Sequence, residues 1–308
     1  MPIAVLTRAL TTRFNGWAAT RNGNSVGAIF VLISSVTVAA MMVAVKELGE
    51  VYPPWQIMLA RTLGQLLMLM PFMFQSDWKM LRTKRYFWHF VRVVTAYFGI
   101  LGWLYSIAHM PLADAMGISF TKALFLVGLA AMFLGERPGP IGWGATAVGF
   151  AGVLIMLGPM DASGAELAAV AGLASAAMGA VTTLAIKHLT RTESTATIMA
   201  YPAIGLTVMS AVPSYFTWVP ITAGAVPLFV FAALSGIVSQ WCFINAYRYG
   251  EASALAPVEY TRLVTATLAG YLIFSELPTP LAFIGILLIV LASLASIRRE
   301  RIRAGIFH

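Results

Sequence analysis

Few residues of this 308-residue chain could act chemically on a bound solute, and the most informative are two cations and one acid. Lys122 and Arg262 occupy the same place in two similar stretches, Phe120-Thr121-Lys122 and Tyr260-Thr261-Arg262. Each lies inside an apolar run, ~15 Å from its start at the 1.5 Å rise of a helix. A cation at the centre of a membrane helix costs roughly 2.5–3.5 kcal/mol, so such residues face a cavity or a partner. Glu259 stands three residues before Arg262, on the same helix face. Three readings stand for the cations. They form a paired clamp for a carboxylate or phosphate on a solute; or Glu259 neutralises one of them; or they hold two halves of the molecule together. Glu259 reads either as a fixed counter-ion or as a proton carrier.

Amides and aromatics surround these charges in the pattern. On the run 224–247, Gln240, Ile244 and Tyr247 share one face, and Trp241, Asn245 and Arg248 an adjacent one. On 86–107, Trp103 and Tyr105 follow Tyr97. With Tyr260 beside Arg262, the candidate solute-binding set is Lys122, Arg262, Glu259, Asn245, Gln240, Trp241, Tyr105, Tyr260 and Trp103. A flat or amphipathic solute could stack on the rings and bond to the amides. For any single ring the alternative is ordinary packing or an interfacial belt. Arg61 and Arg92 each sit ~9 Å inside their runs and are expected to snorkel to the nearer surface. The other reading of Arg61 turns it inward near the outer mouth. Asp114 reads as a helix cap.

Enzymatic chemistry has little to build on. His89, His109, His188 and His308 are dispersed, with no His-Glu-x-x-His pair and no Gly-x-Ser-x-Gly turn. Cys242 is the single cysteine, so neither an intrachain disulfide nor a thiolate metal cluster can form. No Gly-rich phosphate-binding loop is present, and nothing in the pattern calls for a cofactor.

The elements that must carry these residues are membrane helices. The chain is 59% hydrophobic and 10% charged, with a mean hydropathy of +0.83. A soluble domain is typically ~25% charged. A hydrocarbon core ~30 Å thick takes about 20 helical residues. Ten apolar runs of about that size are present: 26–45, 55–74, 86–107, 112–134, 141–157, 168–187, 196–217, 224–247, 252–274 and 279–297. The expected fold class is therefore all-α integral membrane, with ten transmembrane helices. The net charge of +8 sits in short basic blocks beside these runs, which sets membrane orientation and argues against nucleic acid as a partner. With the N-terminus inside, fifteen basic residues fall on the cytoplasmic side and Lys46 alone outside, so both termini are expected in the cytoplasm.

The first five runs resemble the last five. Glu136-Arg137-Pro138-Gly139-Pro140 returns as Glu276-Leu277-Pro278-Thr279-Pro280, and Val43-Ala44-Val45-Lys46 returns one residue out of phase as Leu184-Ala185-Ile186-Lys187. An odd number of helices per copy inverts the second copy in the membrane. Such repeats place a site near the midplane and permit alternating access. The expected organisation is a cytoplasmic segment 1–24, a first repeat 25–157, a second repeat 165–297 and a basic cytoplasmic tail 298–308.

In these features the chain resembles the EamA family of the drug/metabolite transporter superfamily. The resemblance rests on Phe133-Leu134-Gly135-Glu136-Arg137-Pro138, on Ile273-Phe274-Ser275-Glu276-Leu277-Pro278, and on Pro111-Leu112-Ala113-Asp114-Ala115. It implies two inverted five-helix repeats around a central cavity lined by helices of both halves, including the third, fourth, eighth and ninth. It further implies secondary transport of small organic solutes such as amino-acid derivatives, vitamins or nucleoside conjugates across a bacterial inner membrane. The expected partners are thus a small-molecule substrate and the lipid bilayer, with a homodimer as a candidate assembly. The alternatives are a membrane-embedded enzyme and a non-transporting scaffold.

Overall fold

The computed structural model describes residues 23–75, 78, 81–109, 118–157, 166–274 and 280–305. Asp114 with the motif at 111–115, the motif at 275–278 and most of the N-terminal basic segment lie outside them. The described residues form eleven α-helices: α1 (Gly23–Gly49), α2 (Pro54–Gln75), α3 (Tyr86–His109), α4 (Lys122–Phe133), α5 (Gly139–Leu157), α6 (Glu166–Leu189), α7 (Thr195–Phe216), α8 (Val226–Tyr249), α9 (Ala252–Glu259), α10 (Thr261–Phe274) and α11 (Pro280–Gly305). No strand occurs among them.

Five segments are long and apolar enough to cross a membrane by length and composition: Gly23–Gly49, Tyr86–Ser106, Glu166–Leu189, Thr195–Phe216 and Ala223–Tyr249. Their outer faces are apolar as well: Val36, Phe90, Val170, Val208, Val212 and Phe231 are all exposed. A soluble protein covers such surface or aggregates. Here it is the face that lipid covers.

Packing follows a two-fold pattern. The helices in closest association are α1 with α8, α3 with α6, α5 with α11, and α2 with α7. Exchanging the two halves turns the first pair into the second and leaves the last two unchanged. One bond is made twice in this way. Ser34 donates its hydroxyl to the Ser239 carbonyl at 3.0 Å, and Ser175 donates to the Gly99 carbonyl at 2.6 Å. Interhelical hydroxyl bonds of this kind add directional adhesion where the hydrophobic effect supplies none.

The main apolar core gathers at one end of the bundle. It holds Val26, Phe30 and Val31 at the start of α1, Met73 at the end of α2, Leu189 at the end of α6, and Leu255 of α9. Polar bonds close the same end. Glu136 accepts from the backbone N–H groups of Ala252 and Ser253 at 2.9 and 2.8 Å, capping α9. This gives the Glu-x-Pro pattern a local cause, since a carboxylate at a helix N-terminus satisfies donors the helix leaves open. Arg248 reaches across to the carbonyls of Thr190 and Glu193 at 3.1 and 2.8 Å.

The structure departs from two expectations for the arginines. Arg92 does not snorkel. It is buried between α3 and α7 and donates to the Ile198 carbonyl. Pro202, four residues on, has no N–H to give that carbonyl, so the guanidinium replaces the lost helix bond. Gln65 of α2 donates to the adjacent Met199 carbonyl at 2.9 Å. Arg61 does not snorkel either; it turns inward from α2 and lines a cavity.

A further feature concerns the runs containing the paired cations, each read from sequence as a single spanning run. α9 ends at Glu259 and α10 begins at Thr261, and a turn at Phe120 and Thr121 likewise precedes α4. At each break the threonine hydroxyl donates to the carbonyl three residues back: Thr121 to Ile118 at 2.6 Å, Thr261 to Val258 at 2.7 Å. The repeated Thr-Lys and Thr-Arg pairs are the sequence trace of these interruptions. Lys122 thus opens α4, and Arg262 is the second residue of α10.

Candidate functional site

The two interruptions place their cations against one carboxylate. Lys122 Nζ lies 2.8 Å from Glu259 Oε2, and Arg262 Nη1 lies 3.9 Å from the same oxygen. The other carboxylate oxygen accepts from the Tyr247 hydroxyl of α8. Phe243, one helical turn before Tyr247, has Lys122 Nζ 5.2 Å and Arg262 Cζ 4.6 Å from its ring centroid. A ring in contact with two cations stabilises both through its negative face. The Lys122 stem crosses Gly179 of α6, where an added Cβ would meet its Cδ at 3.4 Å.

Two cavities meet at this cluster. One, of about 330 Å³, is lined by Trp103, Phe120, Lys122, Glu259, Tyr260 and Arg262 among others. The second, of about 480 Å³, shares Val38, Trp103, Lys122, Ser175, Gly179 and Arg262 with it, and adds Arg61, Thr95, Gln240 and Phe243. A third pocket of about 100 Å³ continues past Arg61 and Gln240 to Thr62 and Gln65. Lys122 and Arg262 leave one positive charge after Glu259 is counted. Apart from Arg61 and Gln240, the rest of the cavity wall is aromatic, aliphatic and hydroxylated. Such a wall can hold an anionic group at the cluster and an apolar or ring-bearing body beside it.

Of the nine residues singled out by sequence, six come together here. Lys122, Arg262, Glu259, Tyr260 and Trp103 line the first cavity, and Gln240 lines the second. Tyr260 is fully buried, with its ring 6.0 Å from that of Phe120, its counterpart in the other repeat.

The remaining three are not among the residues that line these cavities. Trp241 is 45% exposed and packs edge-on against Phe30. Asn245 donates to the Trp241 carbonyl at 2.8 Å and accepts from Thr195 at 3.3 Å, joining α8 to α7. Gly236, Gln240 and Phe243 form the cavity face of α8, and at ~100° per residue Trp241 and Asn245 project from the opposite one. On α3 the same geometry turns Tyr105 away from Thr95, Gly99 and Trp103; it is 38% exposed and stacks on His109 at 4.1 Å.

Phe243 and Arg61 were missing from the sequence-derived set. Phe243 lies three residues beyond Gln240, so the face assignment of Gln240 carried it. Ser119 also lines the first cavity, at the position where the second repeat has Glu259. The repeats are thus unequal in charge: two cations share one acid.

Comparison with known proteins agrees with the repeat and the fold. The chain matches the EamA-like transporter family over residues 25–158 and again over 166–298. It is 32% identical to a riboflavin transporter of Rhizobium johnstonii over 75% of this chain and 76% of that one. It is 30% identical to an S-adenosylmethionine uptake transporter of Rickettsia bellii, over 90% of this chain and 95% of the relative. A pseudopaline exporter of Pseudomonas aeruginosa is 28% identical over 89% and 97% of the two chains. A crystal structure at 18% identity superposes with a TM-score of 0.78, covering 90% of this chain and 98% of its own, and shares the fold. With both halves matched and the paired cations at equivalent places of the two, the chain belongs to the EamA-like transporter family.

Proposed function

We propose that the protein is a secondary transporter that moves a small anionic or zwitterionic metabolite across a bacterial inner membrane by alternating access. The observation that carries this reading is the meeting of Lys122 and Arg262, one from each repeat, on a cavity wall beside a single carboxylate. In this reading α1 to α11 make ten spans, α9 and α10 forming one interrupted span, and the two five-helix repeats are inverted with both termini cytoplasmic. The packed end of the bundle then faces the cytoplasm, and the cavities lie at and beyond the midplane on the outer side. That is the arrangement of an outward-facing state. Trp103 and Phe243 supply the apolar surface for the solute body. Relatives named for riboflavin and S-adenosylmethionine set the scale of solute, a ring-bearing metabolite. The residual positive charge of the cluster favours members of that size range that carry an anionic group.

Purified protein in liposomes tests this reading. Saturable counterflow of a labelled carboxylate metabolite is expected, and Lys122→Ala or Arg262→Ala should each abolish it at normal protein abundance. Loss of membrane insertion in both variants would instead assign the cations to holding the halves together. Counterflow that both variants retain would remove them from the transport path.

A further inference from the structure

Arg61 gives the cavity a third cation, and the charge pattern it creates narrows the solute further. Its guanidinium lies against Gly236 of α8, where an added Cβ would be 3.5 Å from Nη2. Its buried Nε has no hydrogen-bond partner among the described residues. It lines the second cavity and the small pocket beyond, but not the first. Glu259, by contrast, lines the first cavity and not the second. Across the two larger cavities the described lining residues therefore set three cations against one carboxylate, with the excess charge divided between two places.

The spacing of those places can be read along α8. Arg61 packs on Gly236, and the Lys122–Arg262 pair on Phe243. The seven-residue step from Gly236 to Phe243 is about 10 Å in a helix. Gln240 lies between them and lines the cavity, offering an amide to a polar group in the middle of a solute.

We propose that the transported solute carries two anionic groups at opposite ends, one received by Lys122 and Arg262 and the other by Arg61. This rests on the reading of the Lys122–Arg262 cluster as solute-binding, and deepens it. A monoanion held at Lys122 and Arg262 would leave the Arg61 guanidinium, half-buried on the cavity wall, without a counter-charge. A solute with both anions close together could reach only one of the two places.

Thermal-stabilisation titrations of the detergent-purified protein with three probes test the proposal: suberate, its monomethyl ester and succinate. Suberate has two carboxylates separated by a chain that spans the step; the ester removes one charge, and succinate shortens the chain. In the wild type, suberate should bind about tenfold more tightly than either of the others, the value of one charge-assisted contact. Arg61→Gln should bring suberate down to the affinity of its ester. Arg61→Lys should keep part of the difference. Equal affinities for suberate and its ester in the wild type would overturn the proposal, as would a preference that survives in Arg61→Gln. If Arg61→Gln does not fold, the wild-type and Arg61→Lys comparisons still decide. Failure of the underlying reading looks different: affinities for all three probes would then be unaffected by Lys122→Ala.

Discussion

Replacing Glu259 with glutamine should make the stability of the protein depend on the anions in solution. Glutamine is nearly isosteric but keeps a single acceptor oxygen, so it can serve either the Tyr247 hydroxyl or the Lys122 ammonium, and it removes the charge that both cations share. At an effective dielectric of about 20, the 2.8 Å contact with Lys122 corresponds to ~6 kcal/mol of attraction and the 3.9 Å contact with Arg262 to ~4 kcal/mol. Desolvation offsets much of this. Removing one partner of a buried pair costs ~3–5 kcal/mol, and the adjoining cavities admit water, so about 3 kcal/mol is expected. The same substitution leaves two uncompensated cations on the wall and turns the cluster into a stronger anion site. An anion present at a hundredfold excess over its Kd returns about 2.7 kcal/mol, nearly the whole loss. Reversible unfolding in mixed micelles, at low salt and at high chloride, with wild type carried through both as the ionic-strength control, measures both effects. Glu259→Gln should be markedly less stable than wild type at low salt and close to it at high chloride. A variant as stable as wild type at low salt, or one whose gap from wild type does not narrow with chloride, would refute the idea that one carboxylate balances the two cations.

Two further outcomes follow from the packing. Arg92→Leu should destabilise the protein by ~2 kcal/mol through the stranded Ile198 carbonyl, and Pro202→Ala should cancel most of that loss by restoring the helix N–H. Equal losses in the two backgrounds, in a double-mutant cycle on unfolding free energy, would exclude this pairing. Gly149→Ala places a methyl 2.5 Å from the buried Tyr260 ring and should cost ~1–3 kcal/mol in the same unfolding assay; the additional substitution Tyr260→Leu should relieve it.

Much of this molecule is legible in its sequence. Apolar run length located most of the helices to within a few residues, because every backbone group in lipid must be bonded within its own segment; α4, however, opens at Lys122 where the run begins at 112, and α11 continues to Gly305 where the run ends at 297. The cations at equivalent places of the two repeats pointed to the cluster, and the acid three residues from Arg262 pointed to its partner. The faces of the helices were less legible. A helix that is apolar all round carries little periodic signal to say which side meets protein and which meets lipid. That is why Gln240 was placed with the cavity while Trp241, Asn245 and Tyr105 were grouped with it too readily, and why Phe243 was passed over. The inward turn of Arg61 and Arg92 depends on what faces them, Gly236 in one case and the carbonyl opposite Pro202 in the other. Neither is a property of the arginine's own helix. The interruptions at Thr121 and Thr261 left a trace in the repeated motif, but a hydroxyl bond to the carbonyl three residues back also occurs in unbroken helices.

Pro202 has a mechanical meaning. The Ile198 carbonyl that it leaves without a helix donor is bonded by Arg92 of α3, and the next carbonyl, that of Met199, accepts from Gln65 of α2. A proline in isolation would be a loose joint. Bolted from both flanks, it instead welds three helices drawn from both repeats, so a swing of α7 must carry parts of α2 and α3 along or shear two buried bonds. Rocking between the halves would then have to pivot elsewhere, leaving this trio as a stiff lever.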